Sequence, residues 1–438
     1  MADTWIPDEK VAQDVVIVSE DEKEKTVEKS SFFAILFSGC ALMSDGYQVG
    51  VLSLVSVCLG NIYGSAYTST MSTRLGNALF VGIVLGQVGF GFFVDRVGRK
   101  VGLMVTTFLV ILGAALCAGA YGAGGSVEGL LVALATNFMI DFGFVLAGII
   151  PLILAVAGCS NEVIWRVSFG FGVLPPLSVL YFRLRLKNSE IFKKNAMKKN
   201  VPYWLIFRRY WKRLLGTAGT WFLYDFISYP FGLFSGTIIN SAIGANPSFI
   251  QTAEWSTLLN FLYLPGAMLG AYSGDVIGRK RTMALGFFVQ GILGILIGIW
   301  YKDLINILPL FVILYGIFLS LGEFGPGDMV IVTSSEIFPT AIRGTAYGWS
   351  AAIGKLGAIC GTSAFKPAIQ NFGNGDVILG QSRVFILASG IALCGAILAW
   401  VLIPDYSKQD LSNEDEEFKQ YLLQNGYDIS LLGEHHTP

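Results

Sequence analysis

Trp221, Asp225 and Tyr229 stand four positions apart, so on a helix they share one face. An acid between two aromatic rings suits the wall of a polar cavity; plain packing of the two rings is the alternative. A charge inside an apolar span costs about 2.5–3.5 kcal/mol on insertion scales, so those that survive line a cavity or pair. The candidates are Asp45 in Ser44-Asp45-Gly46-Tyr47, Asp225 beside Tyr224, Lys355 in Gly354-Lys355-Leu356-Gly357, and Glu323 and Asp328 flanking Gly325-Pro326-Gly327. The Lys355 ammonium can hold phosphate oxygens as a point charge. Burial favours the neutral form of an acid, so Asp45 and Asp225 could load and release protons. An anionic substrate would then travel with protons that offset its charge. The competing readings are a structural Asp225–Lys355 ion pair, a packing role for Asp45, and capping by Glu323 and Asp328 at a helix broken by Pro326.

Such residues need apolar elements around them, and the composition supplies these. Of 438 residues, 53% are apolar and only 14% are charged, against about 25% charged in a soluble domain. Mean hydropathy is +0.61. Eleven or twelve spans of roughly 20 residues would use about half to three fifths of the chain. The expected fold is all-α, a polytopic membrane protein. Apolar spans read at 32–57, 75–94, 101–121, 130–157 and 164–182, then at 215–239, 256–274, 282–300, 308–334, 345–366 and 383–403.

Five regions follow. Residues 1–30 form a polar tail, 31–183 a first membrane half, 184–213 a basic loop, 214–404 a second half and 405–438 a second tail. Eleven of the thirty Lys and Arg lie between Arg183 and Arg213. The positive-inside rule puts that stretch in the cytosol, and both tails with it. The net charge of −1 says little. No basic patch with interleaved aromatics suggests nucleic acid. The six cysteines show no metal-ligand spacing, and the two histidines, His435 and His436, lie in the tail. No nucleophile–base pair stands out, so neither an enzyme, a metal nor a cofactor is expected.

The chain repeats itself. Gly91-Phe92-Phe93-Val94-Asp95-Arg96-Val97-Gly98-Arg99-Lys100 is echoed by Ala271-Tyr272-Ser273-Gly274-Asp275-Val276-Ile277-Gly278-Arg279-Lys280, at a constant offset of 180. Each copy follows the second span of its half. Its acid can cap a helix or pair with a neighbouring base, and its bases hold the turn in the cytosol. Transporters build two halves around a midplane site from such repeats. Glu336 and Arg343, on the Glu336-Ile337-Phe338-Pro339-Thr340-Ala341-Ile342-Arg343-Gly344 segment, are expected as loop ion pairs that brace the fold.

With these motifs the chain resembles the major facilitator superfamily over about residues 30–405. That resemblance implies two pseudo-repeated helical halves and a gating role for Gly91, Asp95, Arg96, Gly98, Arg99, Asp275, Gly278, Arg279, Glu336 and Arg343. It names no substrate.

The halves are unequal. Asp275 to Ile403 spans 128 residues, but Asp95 to Phe182 spans 87. The deficit is about one helix of ~20 residues plus its loops. Nothing like Glu-x-x-Pro-Thr…Arg-Gly stands in the first half, and Leu131-Val132-Ala133-Leu134 runs straight into Ala135-Thr136-Asn137-Phe138. Three crossings between Arg99 and Arg183 cannot return both basic loops to one side. About 11 spans instead of 12 are expected, with the fourth missing through a truncated gene prediction or splice form, or in a genuine eleven-helix variant.

Four stretches narrow the resemblance. They are Ser44-Asp45-Gly46-Tyr47, the run from Tyr210 to Thr217, the run from Thr220 to Phe226, and Gly325-Pro326-Gly327-Asp328-Met329. With the tail around Phe418 and Tyr421, they look like the fungal phosphate:proton symporter branch, and within it the glycerophosphoinositol permeases. By resemblance, Asp45 and Asp225 couple protons. Trp221, Tyr229 and Lys355 contact the phosphate group, Tyr224 lines the same site, and Asn137 stands at a polar position of helix five. The implied activity is proton-coupled uptake of glycerophosphodiesters, such as glycerophosphoinositol or glycerophosphocholine, by a monomer in the plasma membrane. The proton gradient would be the driving force. An inorganic phosphate:proton symporter and a non-transporting sensor or inactive variant are the alternatives.

Overall fold

The computed structural model describes residues 52–97, 99–121, 159–171, 173–174, 177, 180, 201–244, 248–405 and 411–428. Asp45, Gly98 and Asn137 lie outside the described residues, as does the 122–158 segment around the expected missing helix.

Every regular element among the described residues is helical. The first half contributes α1 (Leu52–Ala66), α2 (Ser69–Val97), α3 (Arg99–Ala118) and α4 (Asn161–Phe171). The second contributes α5 (Tyr203–Leu233), α6 (Ser235–Ile243), α7 (Phe249–Phe261), α8 (Tyr263–Val276), α9 (Arg279–Ile299), α10 (Tyr301–Ile305) and α11 (Leu308–Gly322). A π turn, Glu323–Gly327, joins α11 to α12 (Asp328–Glu336). Then come α13 (Arg343–Gly373), α14 (Val377–Leu402) and, beyond the bundle, α15 (Leu411–Gln424). Among the described residues four helices are long and apolar enough to cross a bilayer, and five if α5 and α6, bent by 49°, count as one. All six spans expected in the second half coincide with helices. Leu85, Phe108, Met268 and Val401 stand exposed on their outer faces, as lipid-facing side chains would.

Two expectations about the polar segments change. The basic loop was expected to run to Arg213, yet α5 begins at Tyr203. Ile206, Tyr210 and Leu214 recur at helical spacing, and Tyr210 is buried while Arg208 and Lys212 stay exposed. The second tail is likewise partly helical. Phe418 and Leu422 of α15 pack with Tyr210, Ile337 and Phe338 in a small core of their own. Pro326 does not break its helix as expected. Its missing N–H is absorbed by the wider π turn, and one span runs from Leu308 to Glu336.

The hub of the bundle is α13, packed against α5 and α14 of its own half and α2 of the other. Close approach is what the glycines provide. A methyl group at Gly357 would strike the Phe222 carbonyl oxygen on α5, and one at Gly91 on α2 would strike the Gly344 carbonyl oxygen on α13. Small residues at such crossings are the usual basis of helix packing in membranes. Behind this layer, Phe231, Tyr315, Phe318 and Phe385 form a ring-on-ring core joining α5, α11 and α14.

Candidate functional site

The close α5–α13 crossing brings Lys355 onto the acidic face of α5. Its ammonium donates to Asp225 Oδ2 at 2.9 Å and to the Tyr229 hydroxyl at 2.6 Å. Both members of the ion pair are buried, Asp225 at 0% and Lys355 at 7% exposure. The other carboxylate oxygen, Asp225 Oδ1, has no hydrogen-bond partner among the described residues. The centre therefore couples a cation, an acid and a hydroxyl, with acceptor capacity left over.

The expected face of α5 is realised. Trp221 lies one turn from Asp225, buried, with its ring edge-on to Tyr347 of α13 at 5.5 Å. Tyr229 lies one turn the other way, edge-on to Phe80 of α2 at 4.7 Å. Phe80 thus carries the first half to the centre. Tyr224 points elsewhere, its hydroxyl donating to Glu323 Oε1 at 2.6 Å. The π turn puts Glu323 in that position, so Glu323 joins the buried polar interior of the second half and does not cap a helix. Asp328 Oδ2, Ser228 Oγ and Gln290 Oε1 are buried in the same half without partners among the described residues.

The two copies of the repeated motif do different work. Asp95 is buried and caps the first turn of α13. Its Oδ1 accepts from the Gly344 N–H at 3.0 Å, and its Oδ2 from the Thr345 N–H at 2.6 Å and the Thr345 hydroxyl at 2.8 Å. Arg96 lies over the Phe92 ring at 3.8 Å and donates to the Tyr203 hydroxyl at 3.2 Å. In the second copy Asp275, at the end of α8, pairs with Arg279, at the start of α9, at 3.2 Å, and Arg279 also pairs with Glu336 at 3.1 Å. Gly278 opens α9 at φ +97°, a left-handed backbone that glycine adopts without strain. Of the expected bracing pair, Glu336 is held by Arg279, whereas Arg343 donates to the Phe338 carbonyl and the Thr340 hydroxyl.

The halves also meet at the far end of the bundle. Ser53 of α1 and Ser235 of α6 join hydroxyls at 3.1 Å, and Asn77 of α2 donates to Ser363 of α13 at 2.7 Å. Asp95 on one side and these bonds on the other bracket the Lys355 centre. Sequence reasoning missed Phe80, Ser53, Ser235, Asn77 and Ser363, because none of these neutral residues carries a chemical signature outside its tertiary setting.

Comparison with known proteins gives a consistent outcome. The sequence profile described as Sugar (and other) transporter matches residues 31–133 and 188–418. Glycerophosphoinositol permease 1 of Candida albicans is 38% identical over 452 residues, covering 93% of this chain and 86% of that protein. Glycerophosphoinositol transporter 1 of Saccharomyces cerevisiae is 38% identical over 451 residues, covering 93% and 85%. Among solved structures, a proton:xylose symporter bound to 6-bromo-6-deoxy-D-glucose superposes with a TM-score of 0.70 at 16% identity, covering 89% of this chain and 99% of that one.

Proposed function

The chain belongs to the sugar (and other) transporter family, within the major facilitator superfamily, and from that premise we propose that it carries glycerophosphodiesters across the membrane together with protons. The observation that carries this reading is the buried Lys355–Asp225–Tyr229 centre, between two contacts that join the halves. The ion pair is neutral as it stands. If Asp225 takes a proton, Lys355 loses its counter-charge and a phosphodiester monoanion can replace it, so the loaded centre is neutral again. Release of the proton re-forms the pair and expels the anion. Neutrality at both stages avoids the cost of an uncompensated buried charge. Tyr229 and Trp221 would flank the phosphate group, and Asp45 would serve as a second proton carrier. Transporters of this kind place substrate at the interface of their repeats.

The basic residues support one direction. Arg96, Arg209 and Arg213 mark one end of the bundle, which the positive-inside rule assigns to the cytosol, so Asp95 closes the inner side. A plasma-membrane location, cytosolic tails and a monomeric state complete the proposal. The test is uptake of labelled glycerophosphoinositol and glycerophosphocholine by cells expressing this chain, with orthophosphate as competitor. Uptake that resists orthophosphate supports the proposal; uptake abolished by low orthophosphate favours a phosphate symporter, whose centre would need the same groups.

A non-transporting variant is the second reading, and one observation favours it. The alignment with the Candida permease spans 452 positions, whereas 93% of this 438-residue chain is about 407. About 45 positions of the alignment therefore face no residue here, close to one helix and its loops. The family profile is itself interrupted between 133 and 188. Restoring the corresponding segment of a relative after Leu134 separates the readings. Uptake gained only on restoration would identify this chain as inactive in transport.

A further inference from the structure

A second cation stands on the same face of α13 as Lys355. Lys366 follows it by 11 positions, three helical turns or about 16.5 Å, toward the end of the bundle opposite Asp95. It borders a cavity of about 230 Å³ whose walls come from both halves, with Ser56, Asn61 and Thr68 on one side and Thr237, Asn240 and Lys366 on the other. Among the described residues no carboxylate lines this cavity, and no acidic side chain pairs with Lys366. Its ammonium lies over the Phe234 ring at 4.6 Å, which holds the charge in place without neutralising it. Asn240 Oδ1 accepts from the Thr252 hydroxyl, which leaves the Asn240 amide to donate.

Deeper along the same helices than the cavity lining lie the contacts between the halves already described, which act as a floor. On each helix the floor residue lies deeper than the wall residue: Ser53 below Ser56, Ser235 below Thr237, and Ser363 below Lys366. Asn77 likewise lies deeper than Thr68, since α2 runs inward. Beyond this floor lie the Phe80–Tyr229 contact and the Lys355 centre. We infer that the Lys366 cavity is an outer anion site, which takes the phosphate group of the substrate from outside before the floor opens and passes it to Lys355. Pockets that enclose a drug-sized ligand span roughly 300–1,000 Å³. This smaller one suits a phosphate group, leaving the polar headgroup toward solvent. The inference rests on the anion-transport reading for its direction but not for the binding itself.

Equilibrium binding of radiolabelled glycerophosphoinositol to the purified full chain in lipid nanodiscs tests it, at low and high salt, with unlabelled orthophosphate as competitor. The wild type should bind in two components. The outer one should weaken with salt, because charges near solvent are screened. Lys366→Gln should weaken that component about tenfold or more, the scale of a lost charge-assisted contact. Lys366→Arg should keep it, and Lys355→Gln should remove only the other. If Lys366→Gln leaves both components and their salt dependence unchanged, the outer site is overturned. A component that needs Lys366, with none that needs Lys355, upholds the outer site and overturns the central one. Absence of binding of either compound to the wild type overturns both.

Discussion

The carboxylate of Asp95 in the first half holds the backbone N–H of Thr345 in the second at 2.6 Å, across 250 positions of sequence. It thereby caps the helix that carries Lys355. Caps are worth about 0.5–2 kcal/mol, and the positive helix end adds to the attraction for a carboxylate.

Asp95→Ala should therefore destabilise the contact between α2 and α13 by about 1–3 kcal/mol, since it removes charged acceptors from buried N–H groups. Asp275→Ala, at the equivalent place in the repeat, should cost under about 1 kcal/mol, because its carboxylate is 78% exposed and among the described residues pairs with Arg279 alone. Thermal denaturation of the purified variants measures the contrast. Equal losses would mean that the two copies are structurally equivalent after all.

The Lys355–Asp225 pair predicts strong coupling. Removing one partner of a buried pair typically costs about 3–5 kcal/mol, whereas replacing both is often neutral. Asp225→Asn and Lys355→Met should each lower the melting temperature, and the double variant should recover most of the loss. Additive losses in this cycle would show that the two groups do not stabilise each other.

Proton coupling has a definite sign in this scheme. Asp225 must be protonated before Lys355 can hold the anion, so uptake should rise as the external medium is acidified and fall when a protonophore collapses the gradient. Asp225→Asn, which cannot cycle a proton, should lose gradient-driven uptake. Unchanged uptake and pH dependence in that variant would remove Asp225 from the coupling step. The measurement belongs in this chain if it transports, and otherwise in the chain with the restored segment.

The tail helix makes a separate prediction. Asp415 accepts from the Thr340 N–H at 2.6 Å and the Thr340 hydroxyl at 2.8 Å, while Glu414 accepts from the Tyr210 hydroxyl at 2.7 Å and pairs with Arg213 at 2.9 Å. The α15 helix thus ties the start of α5 to the turn before α13. Asp415→Ala should release it and raise backbone hydrogen exchange across 411–424 and 337–342 together. Faster exchange confined to the tail would show that the tie does not brace that turn.

The sequence by itself determined the environment and the cast. An apolar share of 53% with 14% charge, gathered in runs of about 20 residues, leaves helices in lipid as the way to satisfy the backbone. The repeat at an offset of 180 determined that there are two halves. The spacing of Trp221, Asp225 and Tyr229 put them on one helix face, because a helix has a fixed period. Lys355 stood out because a charge in an apolar span must be compensated. Partners, however, were decided by tertiary structure. Asp95 and Asp275 share one motif, yet one caps a helix of the other half and the other pairs within its own turn. The difference comes from Gly91 and Gly344, which let α2 and α13 touch at one copy. Pro326 reads as a helix break until the π turn absorbs it and turns Glu323 toward Tyr224. Lys366 borders a polar cavity only because residues more than a hundred positions away pack beside it. Local periodicity is a property of consecutive residues. Pairing across the bundle depends on which backbones approach closely, and that is settled only when all the helices pack at once.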